Sequence, residues 1–307
     1  MGKATRESYG AALAAIGRKN ENIVVLDADL SKSTKTNIFL NEFPDRFFNV
    51  GIAEQNLMGV AAGLANVGKI PFASTFAVFA TGRAFEIIRN SICYPKMNVK
   101  IAATHAGITV GEDGGSHQSI EDIALMTSLP NMTVIVPADD KEAMEAVKAA
   151  AKMNGPVYLR FGRCTTPDLY DENYKFEIGK GSLLKEGNDI TIIATGMMVA
   201  KALDAAKILE EEGINARVIN MATIKPIDEE IIIKAAKETK GIITAEEHSI
   251  IGGLGDTVSA VVCKNSPARV EKVGINDVFG ESGTPDELME KYKLTAEEIA
   301  SRAKEIL

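Results

Sequence analysis

The chain has no tryptophan, and aromatic residues make up only 6% of its 307 positions. It has just three histidines and three cysteines. Cys93, Cys164 and Cys263 are odd in number, far apart and in no CxxC spacing. That pattern argues against a disulfide framework or a cysteine metal site and fits reduced thiols in a cytoplasm. No apolar run approaches the roughly 18 residues a membrane span needs, and MGKATRESYGAAL opens with charge instead of an apolar signal core. Basic residues are also in deficit. The 34 Lys and Arg against 42 Asp and Glu leave a net charge of -8, which argues against a broad nucleic-acid or acidic-membrane surface. The expectation is a soluble, cytoplasmic protein with neither kind of partner. A small anionic ligand stays open, because a few local Arg and His residues outweigh a distant negative surface.

What is present suits a large core: 46% of residues are hydrophobic and 25% charged. Short β-branched runs alternate with longer stretches of helical period. NIVVLDADL, IPFAST, VKIAATH, MTVIVPAD and GPVYLRFG read as strands. AEQNLMGVAAGLANVG, ATGRAFEIIRNSI and DKEAMEAVKAAAKM read as helices between them. This alternation predicts an α/β fold with a mostly parallel sheet and helices on both faces. The pattern breaks at DLYDENYKFEIGKG and resumes with DITIIATG, so a linker over 169–188 separates units 1–168 and 189–307. In open parallel sheets ligands bind beyond the carboxyl ends of the strands. The loops 27–36, 105–119 and 160–165 fall there.

Several residues in and around those loops, and elsewhere in the chain, suit chemistry, each with an ordinary alternative. Glu54 opens a helix, where any carboxylate meets the dipole favourably. Its small apolar neighbours would also desolvate it and suit it to a protonated ring nitrogen. Phe76 and Phe79 are three apart at a strand-to-helix junction, as core residues or as a stacking platform. His105 and His117 frame AGITVGEDGGS, a glycine-rich loop that is neither a Walker A nor a dinucleotide fingerprint. Zinc held by His105, Asp113 and His117 is one reading, and contact with hydroxyl or phosphate oxygens is the better one. Arg6, Ser33, Arg160 and Arg163 are scattered surface residues unless strand-end loops bring them to one phosphate. His248 has a loop, interface or catalytic reading.

ATRESYGAAL, LDADLSKST, VGIAEQNLMGVAAGLA, PFASTFAVF and above all GEDGGSHQ followed by IEDIALMTSLPNMTV make the whole chain resemble the C-terminal half of transketolase. The resemblance implies a thiamine-diphosphate-binding fold: a pyrimidine-binding domain over 1–168, a linker, and a smaller α/β transketolase C-terminal domain over 189–307. The family's diphosphate signature, GDG with a downstream Asn, is missing. The chain is therefore similar to the small subunit of a split transketolase, inactive alone. A partner chain would supply the diphosphate site with its Mg2+ or Ca2+, in an α2β2 assembly that self-associates through the pyrimidine domains.

Residue by residue, the resemblance makes Glu54 the carboxylate that hydrogen-bonds N1′ of the aminopyrimidine and favours its imino tautomer. Phe76 and Phe79 become the ring-stacking pair, with Gly82 where the family usually has Tyr. His117 matches the His near the donor's C1 hydroxyl and carbonyl, and Asp113 the reader of the aldose C2 hydroxyl. Arg6, Ser33 and His105 match phosphate-contacting positions, and the remaining phosphate Arg is Arg160 or Arg163, with Arg163 preferred. The implied reaction carries a two-carbon ketol unit from a ketose phosphate to an aldose phosphate. Alternatives are a 1-deoxyxylulose-5-phosphate synthase-like enzyme, a 2-oxo acid dehydrogenase β-subunit-like enzyme, a non-catalytic interaction subunit, and a phosphosugar-binding module acting alone.

Overall fold

A computed structural model describes residues 2–307. The first half supplies strands β1 (Ile23–Asp27), β2 (Phe47–Asn49), β3 (Ile70–Phe76), β4 (Lys100–Thr104), β5 (Thr133–Ile135) and β6 (Val157–Arg160). The second half supplies β7 (Ser182–Lys185), β8 (Ile190–Ala194), β9 (Ala216–Asn220), β10 (Thr223–Lys225), β11 (Gly241–Ser249) and β12 (Arg269–Ile275). Two sheets result, ordered β10-β5-β6-β4-β3-β1-β2 and β12-β11-β8-β9-β7. Every pairing is parallel except those of the two edge strands β10 and β7. The parallel, doubly covered α/β fold is thus what the alternating pattern predicted.

Central strands such as β1, β4 and β8 are buried along their whole length, as parallel strands covered on both faces must be. Helices cover them with narrow apolar stripes. The helix Asp140–Lys152 is capped by Asp139, carries acids in its first turn, and buries Ala143, Ala146, Val147 and Ala150 at helical spacing. On the same face Tyr9, Leu13, Phe39, Phe72 and Phe161 complete a core. On the opposite face one apolar cluster runs without a break from Leu57, Met58 and Ile101 to Met221, Ile232, Leu254 and Val258. The two halves share this interior.

Two features depart from the sequence reading at the junction. The segment expected to be only a linker carries β7, which pairs antiparallel with β9. Its half-exposed edge position hides the apolar signal that marks a central strand. Conversely, β10 leaves the second half and pairs with β5, closing one edge of the first sheet. The stretch before β7 is strapped down by two buried carboxylates. Asp139 accepts the backbone N–H groups of Leu169 and Tyr170, at 2.8 and 3.0 Å. Glu142 accepts the Tyr174 hydroxyl at 2.6 Å and the Asn220 amide at 2.9 Å.

Candidate active site

The C-terminal ends of β6, β4, β3, β1 and β2 are neighbours in the first sheet, and the loops leaving them carry nearly every residue singled out above. Beyond β1, Asp27 is buried and accepts hydrogen bonds from Leu30 N–H at 2.5 Å, Thr34 at 2.7 Å and Thr36 at 2.9 Å. Burial nonetheless raises its pKa. These bonds hold the Ser31–Thr34 turn in place. The N-terminus is clipped across the sheet end: Ala4 bridges Thr165, and Thr5 accepts the Gly162 N–H at 2.9 Å. That clip brings Arg6 beside the loops from β1, β4 and β6.

Arg6 Nη1 donates to the Ser33 carbonyl at 3.0 Å and lies 3.2 Å from His105 Nε2. Arginine only donates, so Nε2 is the acceptor and the ring proton sits on Nδ1, 2.9 Å from the Thr104 hydroxyl. His105 is buried, with a left-handed φ of 56°, and its ring stacks on Phe76 at 3.9 Å. A non-glycine residue in that conformation is strained, and such strain gathers at functional sites. Burial, then the positive charges of Arg6, Arg163, His117 and Lys35, lowers its pKa to about 3. The ring is neutral at physiological pH and works as an acceptor that aims a guanidinium. Arg6 in turn is close enough to Arg163 to be repelled by it, and its buried Nε has no partner among the described residues. Like charges crowded together with a donor unspent suit an anion.

Arg163 joins this group, half-buried, reaching the Val110 carbonyl and Glu112 at 3.4 Å. Arg160, the other arginine that the sequence offered for a phosphate, points elsewhere. Its side chain is 6% exposed and forks onto Asp122 at 2.8 and 3.2 Å, with a further bond to the Glu247 carbonyl at 3.0 Å. Burial alone would raise the Asp122 carboxyl, but Arg160, His248 and Tyr158 together hold its pKa below the ordinary value. Arg160 is the buried cation of an internal pair. The spacing in YLRFGR explains the difference, since Arg160 still belongs to β6 whereas Arg163 lies in the loop beyond it.

His117 lies at the other end of the glycine-rich loop, half-buried and edge-on to both phenyl rings, with its ring centroid 5.4 Å from that of Phe79 and 6.4 Å from that of Phe76. Asp113 is exposed on the rim. The two phenyl rings are nearly parallel, 12° apart, with centroids 5.8 Å apart. Phe79 opens a π-helical turn, Phe79–Arg83, a geometry frequent at functional sites. A Cβ at Gly82 in that turn would meet nothing within 4 Å, so the side where the family usually has Tyr is open.

Glu54 starts the helix Glu54–Asn66 and is 5% exposed. Its Oε1 accepts from Arg83 at 3.1 Å, while Oε2 has no protein partner among the described residues. Arg83 also lies over the Phe79 ring, 4.2 Å from its centroid. It therefore joins the carboxylate to the aromatic pair, and the sequence reading missed it. Its position four residues after Phe79 was the available signal. A buried carboxylate with one free oxygen beside a flat aromatic pair suits a protonated aminopyrimidine. Among the described residues no group of three His, Cys, Asp or Glu converges on a metal. His248 is buried between the halves, accepting the Ala124 N–H at 3.3 Å, and is an interface residue. No helix is long and apolar enough to cross a membrane among the described residues.

Comparison with known proteins identifies both halves of the chain. Residues 1–167 match the profile of the transketolase pyrimidine binding domain and residues 179–299 that of the transketolase C-terminal domain. A putative transketolase C-terminal section from Methanocaldococcus jannaschii is 56% identical over 306 residues, covering 99% of this chain and 96% of the relative. A 6-deoxy-6-sulfo-D-fructose transketolase subunit from a Clostridium species is 43% identical over 98% of this chain and 94% of its own length. Among solved structures, a split gene transketolase described as an inactive beta4 tetramer superposes with a TM-score of 0.92. It is 59% identical, and the match covers 100% of this chain and 99% of that one.

Proposed function

The chain belongs to the transketolase family, and we propose that it is the pyrimidine-side subunit of a two-chain transketolase. It would move a two-carbon ketol unit from a ketose phosphate to an aldose phosphate with thiamine diphosphate. The observation that carries this reading is that the C-terminal end of one sheet gathers buried Glu54, the Phe76–Phe79 pair and the Arg6–His105–Arg163 group. When bound, thiamine diphosphate supplies the electron sink that lets a bond beside a ketose carbonyl break. This chain's residues do the positioning and hold the protons.

Glu54 Oε2 would accept from the pyrimidine N1′ and keep a proton there, while Arg83 on Oε1 fixes the carboxylate's orientation. Phe76 and Phe79 would bind the flat ring. Neutral His105 orients the Arg6 guanidinium, and Arg163 supplies a second fork for the sugar's terminal anion. His117 would hydrogen-bond the donor's C1 hydroxyl and carbonyl, and Asp113 the acceptor's C2 hydroxyl. The cationic group reads a terminal anion and not a particular sugar, so a sulfosugar of the kind named for the Clostridium relative would also fit. The diphosphate and its Mg2+ or Ca2+ fall to a partner chain, in an α2β2 assembly.

The test is ketol transfer by this chain mixed with a transketolase N-terminal chain, against each chain alone. Glu54→Ala should lower the activity of the mixture by about a hundredfold or more. Unchanged turnover in that variant would remove Glu54 from the mechanism. Pyruvate decarboxylation without ketol transfer would replace the reading with the synthase or dehydrogenase alternative.

A further inference from the structure

The glycine-rich loop has two sides. One carries Asp113 and His117; the other is built against the second half of the chain. Thr109 N–H donates to Glu247 Oε1 at 2.8 Å. The Gln118 amide donates to the Ile108 and Gly111 carbonyls, at 3.2 Å each, and across the interface to the Glu281 carbonyl at 2.9 Å. Three loop glycines mark how close the approach is. A Cβ on Gly107 would lie 2.2 Å from the Glu247 carboxyl, one on Gly114 2.6 Å from Ser282 Oγ, and one on Gly115 2.6 Å from the Gly280 carbonyl. From the other side, a Cβ on Gly280 would lie 1.8 Å from Gln118 Oε1. Glu247 and Gln118 are both buried, so neither yields freely.

We propose that the second half of the chain sets the geometry of the sugar-facing wall, with Glu247, Gly280 and Gln118 as positioning residues for Asp113 and His117. The proposal rests on the transketolase reading for what the wall faces; the contacts that hold the wall do not. Glu247 supplies a fixed acceptor for a backbone donor in the loop's first turn. The Gly280–Ser282 segment supplies a surface on which only glycines lie flat. Gln118, immediately after His117, ties the loop's end to both its own turn and that surface. A shift of the second half by a fraction of an ångström would therefore be felt at Asp113 and His117 before it reached Glu54, which stands on other elements.

Two substitutions test this, both away from the groups that would touch substrate. Gly280→Ala places a methyl on Gln118 without requiring a left-handed backbone, and Glu247→Ala removes the acceptor of Thr109. In the full chain alone, hydrogen–deuterium exchange across residues 107–118 should rise about tenfold in both variants. Exchange over residues 54–66 should stay as in the wild type. Glu247→Gln, which keeps the acceptor, should restore protection. In a Gln118→Ala background, Gly280→Ala should add no further effect. With the partner chain, Gly280→Ala should raise KM for the acceptor sugar about tenfold or more and leave the apparent affinity for thiamine diphosphate unchanged.

Wild-type exchange over 107–118 in both variants would overturn the proposal. A wild-type mixture that transfers no ketol unit would instead overturn the reading of the site, and the exchange measurement would still decide the positioning role.

Discussion

Glu142 should make the stability of this chain fall as pH rises toward neutrality. Its carboxylate is 1% exposed, where the helix Asp140–Lys152 meets Tyr174 and Asn220. Burial raises its pKa from 4.5 to about 7, against the ion-favouring hydrogen bonds from Tyr174, Asn220 and Ala138 and with a further upward push from Asp139. Between those two values the folded chain keeps a proton that the unfolded chain has released. The stabilising contribution is therefore complete below pH 4.5 and lost as pH climbs through 7. At about 1.4 kcal/mol per unit, the loss between about pH 5 and 8 is roughly 2–3 kcal/mol.

Two other buried groups act with the opposite sign. His105, lowered from 6.5 to about 3, costs stability as pH falls through that window. Lys100, lowered by burial from 10.5 to about 7, costs stability as pH falls from the alkaline side. The Glu142→Gln variant isolates the effect, since its side chain does not titrate and the other groups remain. Urea unfolding followed by circular dichroism at both pH values gives the free energies. The variant should gain roughly 2–3 kcal/mol relative to the wild type on going from about pH 5 to 8. Parallel pH profiles for the two chains would refute the argument.

The buried Arg160–Asp122 pair makes a second stability prediction. Asp122→Asn keeps the shape but leaves a buried guanidinium uncompensated, and should destabilise the chain by about 3–5 kcal/mol in the same unfolding assay. A loss below about 1 kcal/mol would mean that solvent reaches Arg160. The two arginines of YLRFGR should also separate kinetically. Arg163→Ala should raise KM for the phosphorylated sugar about 10–100-fold in the complete enzyme and spare an unphosphorylated analogue. Equal effects on both substrates would take Arg163 out of the anion site.

Much of the fold was legible because parallel strands are buried on both faces and announce themselves as continuous β-branched runs. NIVVLDADL became β1 and VKIAATH became β4, with His105 delivered to the strand's end. The edge strands β7 and β10 were not legible, since short antiparallel edges carry little periodic signal and depend on partners distant in sequence. In the site, the first-half loops were found because a parallel sheet sends every loop to a predictable side. The choice between Arg160 and Arg163 was not, because it turns on where β6 ends. Arg83 escaped because its role exists only once Glu54 and Phe79, distant in sequence, are neighbours. The back of the glycine-rich loop escaped for the same reason. Nothing in GEDGGSHQ states that its glycines answer to Ser282 and Gly280 more than 160 residues away.

The strand β10 has a bearing on how this chain can be cut. It lies antiparallel along β5, with Thr223 opposite Ile135, so the first sheet borrows its outer strand from the second half. A fragment ending at the linker would bare β5, whose three residues are fully buried in the intact chain. Its unpaired N–H and C=O groups would then be open to any other extended segment, the usual seed of aggregation. The natural unit of expression is therefore the two halves together, and the sequence boundary between them is not a seam along which the protein comes apart.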